Sequence, residues 1–142
     1  TMQEAVMKRL ILALCLAVPT SVSAGQPVSE SLVQCAQLFD TSNRLHPSYR
    51  TSGNGQKLAA LAERFMDAAA REAKREGQSS VRPYLRSHAS QKAAYWDAKG
   101  EGYLFTDNFQ EWARYCRTLG QNRGVYRKIS VDYLPRTAAA FR

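Results

Sequence analysis

Histidine is the side chain best suited to acid–base work near neutral pH, and the sequence has only two, His46 and His88. They form no HExxH motif and no Cys-His spacing typical of zinc, so neither a metal site nor a cofactor is predicted. His88 lies on a predicted helix face and could act with a nearby carboxylate as the base of a small hydrolase. A histidine on a helix face more often has a structural role, held by hydrogen bonds, than a catalytic one.

The sequence holds no other strong signature of catalysis. It contains no G-x-S-x-G nucleophile motif, no Walker loop and no C-x-x-C-H haem attachment motif. Asp97 and Glu101 could pair as two carboxylates for acid–base work. They stand where a predicted helix ends, however, which favours solvated surface side chains. These patterns favour a non-enzymatic protein.

Basic residues are the one global feature with functional content. The chain has 20 Lys and Arg against 12 Asp and Glu, a net charge of +8, and its last part from Arg114 to Arg142 has seven bases and one acid. Arginine binds carboxylates and phosphates through paired hydrogen bonds, and tyrosine adds contact area at low entropy cost. The predicted partner-binding residues are Arg114, Arg117, Arg123, Tyr126, Arg127, Lys128, Tyr133 and Arg136.

The partner expected from this charge is an acidic protein or an anionic lipid or glycan surface. The alternative is that a basic surface only keeps the protein soluble. Nucleic acid would be a candidate partner in the cytosol. The beginning of the chain predicts export, however, and nucleic acid is not an expected partner after export.

The segment Met7 to Ala24 matches a secretory signal peptide. Two basic residues are followed by an unbroken apolar run, Leu10 to Val18, and by a small-residue cleavage site at Val22 to Ala24. A helix of that apolar run would span roughly 14 Å, too little for a bilayer core of about 30 Å. We therefore expect residues 1–24 to be upstream residues plus a cleaved signal, and the mature protein to be periplasmic or secreted, without a transmembrane span.

Cleavage would remove Cys15 and leave two cysteines, Cys35 and Cys116. An even pair in an exported chain predicts a disulfide. The enclosed loop is long, so chain entropy gives a stabilisation of about 4–5 kcal/mol. The alternative is a pair of buried free thiols.

Apolar residues at the 3.6-residue period predict about four amphipathic helices. The first begins near Ser29. The second covers residues 56–76 after a turn at Gly53-Asn54-Gly55, and the third is capped by Ser79 or Ser80. Residues 106–119 form the fourth, around which the others are expected to pack, with Trp112 as its main anchor.

The predicted fold is therefore all-α. Residues 25–120 form one helical domain, with Gly120 as the left-handed cap of the last helix, and residues 121–142 form an irregular basic extension. Residues 125–133 could be a short strand, an extended arm or a frayed helix. The predicted core residues are Leu32, Phe39, Leu58, Leu61, Phe65, Met66, Leu85, Phe109, Trp112 and Leu119.

Three functional classes remain after these steps. The first is an exported binding protein that contacts an acidic partner or an anionic envelope surface. The second is a small periplasmic hydrolase that uses His88. The third is a helical carrier that holds a small apolar ligand in a cavity lined by Phe65, Met66 and Trp96. In size and layout the two-cysteine helical chain resembles small exported helical proteins, including periplasmic acid-stress chaperones, and this resemblance assigns no residue a role.

Overall fold

The computed structural model describes residues 25–127, and this part of the chain is all-α, as predicted. Four of its five helices are seven residues or longer. The elements in order are α1 (Val28–Phe39), α2 (Thr41–Leu45), the 3₁₀ helix η1 (Pro47–Thr51), α3 (Gly53–Arg75), α4 (Val81–Asp97), the 3₁₀ helix η2 (Glu101–Phe105) and α5 (Asp107–Asn122).

Helix α1 lies at the centre of the fold. Nine of its twelve residues are buried, which is possible because Glu30 is its only charged residue. The helices α3, α4 and α5 all pack against it. The prediction that the last helix is the central one is wrong. Helix α5 buries only Ala113, Cys116 and Gly120, because charged residues occupy its other faces.

The predicted disulfide joins the central helix to α5. Cys35 and Cys116 are bonded, with their Cα atoms 5.5 Å apart, and both are fully buried. The bond fixes the inner face of α5 against α1. It thereby determines which side chains of α5 remain in contact with solvent.

The core is built around Trp96 rather than Trp112. Trp96 is 1 % exposed, and its indole N–H donates a 3.0 Å hydrogen bond to the Gln34 carbonyl oxygen of α1. Its ring meets the half-buried Trp112 edge to face at 5.5 Å. Of the predicted core residues, Leu32, Phe39 and Phe65 are buried, and the others pack against the core while only partly buried: Leu58, Leu61, Met66, Leu85, Phe109, Trp112 and Leu119.

Two glycine assignments from the sequence are wrong. Gly53-Asn54-Gly55 is the first turn of α3, not a preceding turn, because the Ser52 hydroxyl accepts a 3.0 Å hydrogen bond from the Gly55 N–H and caps the helix there. Gly120 lies inside α5, packed between the rings of Phe65 and Tyr126, where a Cβ would clash. Gly124, with φ of +71°, takes the left-handed conformation instead.

Some predicted features lie outside the described residues. These are the signal peptide within residues 1–24, and Lys128, Tyr133 and Arg136 of the predicted binding segment. Among residues 25–127, no helix is both long and apolar enough to cross a bilayer.

Candidate binding surface

Helix α5 positions two of the predicted contact residues, Arg114 and Arg117. It starts where the Thr106 hydroxyl accepts a 3.2 Å hydrogen bond from the Phe109 N–H. Its buried residues recur every three or four positions, and the disulfide holds that face inward. Arg114 and Arg117 therefore lie one turn apart on the solvent side, and both are exposed.

The two arginines make no ion pair within residues 25–127. The acids of α5, Asp107 and Glu111, stand nearer its beginning. Of these charges only Asp107 lies in a terminal turn, where it suits the helix dipole. Arg114 and Arg117 lie in the middle of the helix, so their guanidinium groups remain available for binding.

The other predicted contact residues divide into two kinds. Arg123 is already engaged, because its Nη1 lies 3.7 Å from a Glu72 carboxylate oxygen. Tyr126 packs edge to face on Phe65 at 6.3 Å and keeps 39 % of its surface exposed. Burial raises the pKa of the Tyr126 phenol, so the group stays neutral and can donate a hydrogen bond. Arg127 is exposed and lies beside Gly124.

An apolar groove adjoins this basic face. It has a volume of about 470 Å³ and is lined by Leu38, Phe39, Ser42, His46, Tyr49, Leu58, Glu101, Leu104, Phe105, Phe109, Gln110, Ala113 and Arg117. The volume falls within the range of small-ligand pockets, about 300–1,000 Å³. Phe105 is 87 % exposed although it is one of the largest apolar side chains of the chain.

Short-range contacts hold the groove in shape. Thr106 donates a hydrogen bond from its hydroxyl to the Tyr103 carbonyl oxygen at 2.7 Å, which sets the turn from η2 into α5. Glu101 of η2 contacts His46 through its carboxylate, so the segment after α2 is joined to η2. In the sequence, the only signal for this groove is the apolar run Tyr103-Leu104-Phe105 between the last two helices.

The arrangement around His88 does not resemble a catalytic site. Its Nδ1 lies 3.7 Å from a Glu30 carboxylate oxygen, too far for a hydrogen bond. The same carboxylate oxygen lies 2.8 Å from the Lys92 ammonium. The ring of His88 packs on Tyr84 with centroids 4.4 Å apart, and His88 does not line the apolar groove. The buried Nδ1 has no hydrogen-bond partner among residues 25–127.

A polar cluster around the buried Ser29 fixes the beginning of α1. The Glu76 carboxylate accepts hydrogen bonds from the Ser29 N–H, at 3.0 Å, and from the Ser29 hydroxyl. The Tyr84 hydroxyl lies 2.8 Å from the same serine oxygen. Ser29 is fully buried, so it cannot serve as a nucleophile. A carboxylate at a helix beginning is stabilising in its own right.

Two further expectations concern metals and apolar ligands. Within the described part of the chain, no three His, Cys, Asp or Glu side chains come together to hold a metal ion. The cavity expected for a carrier would be lined by Phe65, Met66 and Trp96. Phe65 and Trp96 are instead packed in the core, and none of the three lines the groove.

Comparison with known proteins adds no relationship: no protein-family model, curated protein sequence or solved structure matches this chain.

Proposed function

We propose that this is an exported, non-enzymatic protein that binds an acidic protein partner or an anionic envelope surface through the outer face of α5. The observation that carries the proposal is the pair Arg114 and Arg117. Both are exposed, lie one turn apart on a helix held by a disulfide, and make no ion pair with any residue from 25 to 127.

The physical argument rests on how exposed charges act. A guanidinium that is not paired within the protein keeps its full attraction for a partner's carboxylates or phosphates. Each exposed base near an anionic lipid surface contributes about 1 kcal/mol, and salt screens it within a Debye length of about 8 Å. The half-exposed Tyr115 and Tyr126 lie on the same helix and just beyond it, where they add amphipathic contact area.

The hydrolase alternative has the weaker support. It needs His88 to be accessible beside a carboxylate and a substrate cavity, whereas Glu30 is occupied by Lys92. The carrier alternative is supported by the groove beside α5, although its lining differs from the residues expected.

The first prediction tests the basic face. In co-sedimentation with phosphatidylglycerol vesicles at low salt, the double variant R114Q/R117Q should bind at least tenfold more weakly than the natural chain, since two bases contribute up to about 2 kcal/mol. The matched control is R82Q/R86Q, which removes two exposed arginines one turn apart from α4. The control should lose much less binding.

Two outcomes would contradict the proposal. One is equal loss in both double variants, which would mean that only net charge matters. The other is that R114Q/R117Q binds both kinds of partner as well as the natural chain does. These partners are the vesicles and the acidic proteins captured from the envelope fraction.

A further inference from the structure

We infer that the groove beside α5 binds a single-chain fatty carboxylate, with its hydrocarbon chain against the apolar lining and its carboxylate on Arg117. The inference goes beyond the proposed function and shares one residue with it. It rests on the groove's lining, on its charges and on one exposed aromatic side chain.

The lining of the groove fits a hydrocarbon chain. Leu38, Phe39 and Ala113 are buried core residues that also form part of its surface, and Leu58 and Phe109 pack against that core. Removing such surface from water is the main source of affinity for an apolar chain. Each methylene that enters such a site strengthens binding roughly fourfold.

The charges of the lining fit one anionic headgroup. Besides the phenol of Tyr49, the lining holds one imidazole, one carboxylate and one guanidinium, those of His46, Glu101 and Arg117. His46 and Glu101 contact each other, whereas Arg117 makes no ion pair within residues 25–127. An unpaired guanidinium at an apolar site favours a carboxylate, which it can bind through two parallel hydrogen bonds.

Phe105 extends the apolar surface of the groove into solvent. It is 87 % exposed and lines the groove. Contiguous exposed apolar surface, such as Phe105 together with the groove beside it, is typical of interaction and ligand-binding sites. An extended peptide is a poorer occupant, because its backbone N–H and C=O groups need hydrogen-bond partners that a mostly apolar lining does not supply.

The test is isothermal titration calorimetry of the disulfide-bonded full chain with octanoate, decanoate and dodecanoate, each below its micelle concentration. We expect saturable binding that tightens with chain length, roughly fourfold per methylene. Dodecanol, the neutral counterpart of dodecanoate, should bind at least tenfold more weakly because it cannot pair with Arg117.

Variants locate the site. R117Q should weaken dodecanoate binding about tenfold, and F105S should weaken it several-fold without unfolding the chain, because Phe105 is so exposed. The matched controls are R114Q, one turn away and outside the groove lining, and Y95S, which removes an exposed aromatic elsewhere. Both controls should stay within twofold of the natural chain.

The inference is overturned if dodecanoate does not bind saturably, or if R114Q and R117Q weaken its binding equally. It is also overturned if dodecanol binds as tightly as dodecanoate, or if an acidic amphipathic peptide binds the groove while dodecanoate does not. Its failure is distinguishable from failure of the proposed function. If R114Q loses vesicle binding but keeps dodecanoate binding, both proposals are supported. If the natural chain binds vesicles but not dodecanoate, only the groove ligand is overturned.

Discussion

The two ends of the central helix α1 differ in how far their side chains are covered by the rest of the protein. At its beginning, Ser29 is fully buried and its hydroxyl and N–H contact Glu76 and Tyr84. At its end, Leu38 and Phe39 form part of a groove, with Phe105 in solvent beside them. The first end has its polar groups satisfied inside the protein. The second leaves apolar surface uncovered, and so it is the end that can gain by binding.

The same contrast distinguishes the charged side chains. Around the beginning of α1, Glu30 pairs with Lys92 at 2.8 Å. Beyond it, Arg75 pairs with Glu72 at 2.7 Å. Beside the groove, Arg117 has no such partner within residues 25–127. Charges that are paired internally contribute to the fold, whereas an exposed unpaired charge keeps its attraction for a ligand. Three predictions test how buried and exposed groups contribute to stability, and the largest expected effect comes first.

Removal of the disulfide should destabilise the protein most. The double variant C35A/C116A should lose about 4 kcal/mol of the free energy of unfolding, because the bond closes a long loop with a sequence separation of 81. Urea unfolding followed by circular dichroism measures this. Since α5 forms a wall of the groove, dodecanoate binding should weaken as well. A loss below about 1 kcal/mol would mean that packing alone holds α5 in place.

Removal of the buried hydroxyl of Ser29 should have the next largest effect. S29A removes the hydroxyl of a fully buried residue that contacts Glu76 and Tyr84, while the N–H of residue 29 still donates to Glu76. The loss should cost about 1–2 kcal/mol. At the other end, F105S removes a much larger side chain and should cost less than about 0.5 kcal/mol, because that side chain is exposed. If F105S were the more destabilising of the two, the contrast between the ends would be wrong.

The smallest effect concerns a carboxylate of α3 and depends on pH. Burial, with a further contribution from Asp67, raises the pKa of Glu63 to about 7, and its Oε2 is buried without a hydrogen-bond donor among residues 25–127. The folded state therefore holds this proton more tightly than the unfolded state. The stability it provides is fully present below the ordinary glutamate pKa of 4.5 and is lost as pH rises through about 7.

E63Q removes this titration, and its effect should therefore change with pH. At pH 8 the variant should be more stable than the natural chain by about 1 kcal/mol, a figure reduced for solvent screening because the residue is only partly buried. At pH 4.5 the gain should vanish. Urea unfolding at the two pH values measures the difference, and a gain that is independent of pH would contradict the assignment.

Much of the fold followed from local pattern. The apolar period identified the four longer helices, and Ser80, one of the two residues proposed as the cap of the third helix, does precede it. The two cysteines left after the predicted cleavage gave the disulfide. The misassigned glycines show where local pattern is insufficient. Gly55 and Gly120 are required because other segments of the same chain leave no room for a Cβ. For Gly120 one of these neighbours is Phe65 of α3, which no short sequence window shows.

The sequence by itself determined the helical class and the basic excess and, with the predicted removal of Cys15, the pairing of Cys35 with Cys116. Composition, the apolar period and a count of cysteines need no knowledge of distant contacts. Tertiary structure alone decided that α1 is central, that Trp96 rather than Trp112 fills the core, and that Arg117 stands beside an apolar groove while Arg123 is held by Glu72. The physical reason is that burial, and whether a charge is paired, depend on side chains distant in sequence. Those neighbours are fixed only when the helices pack.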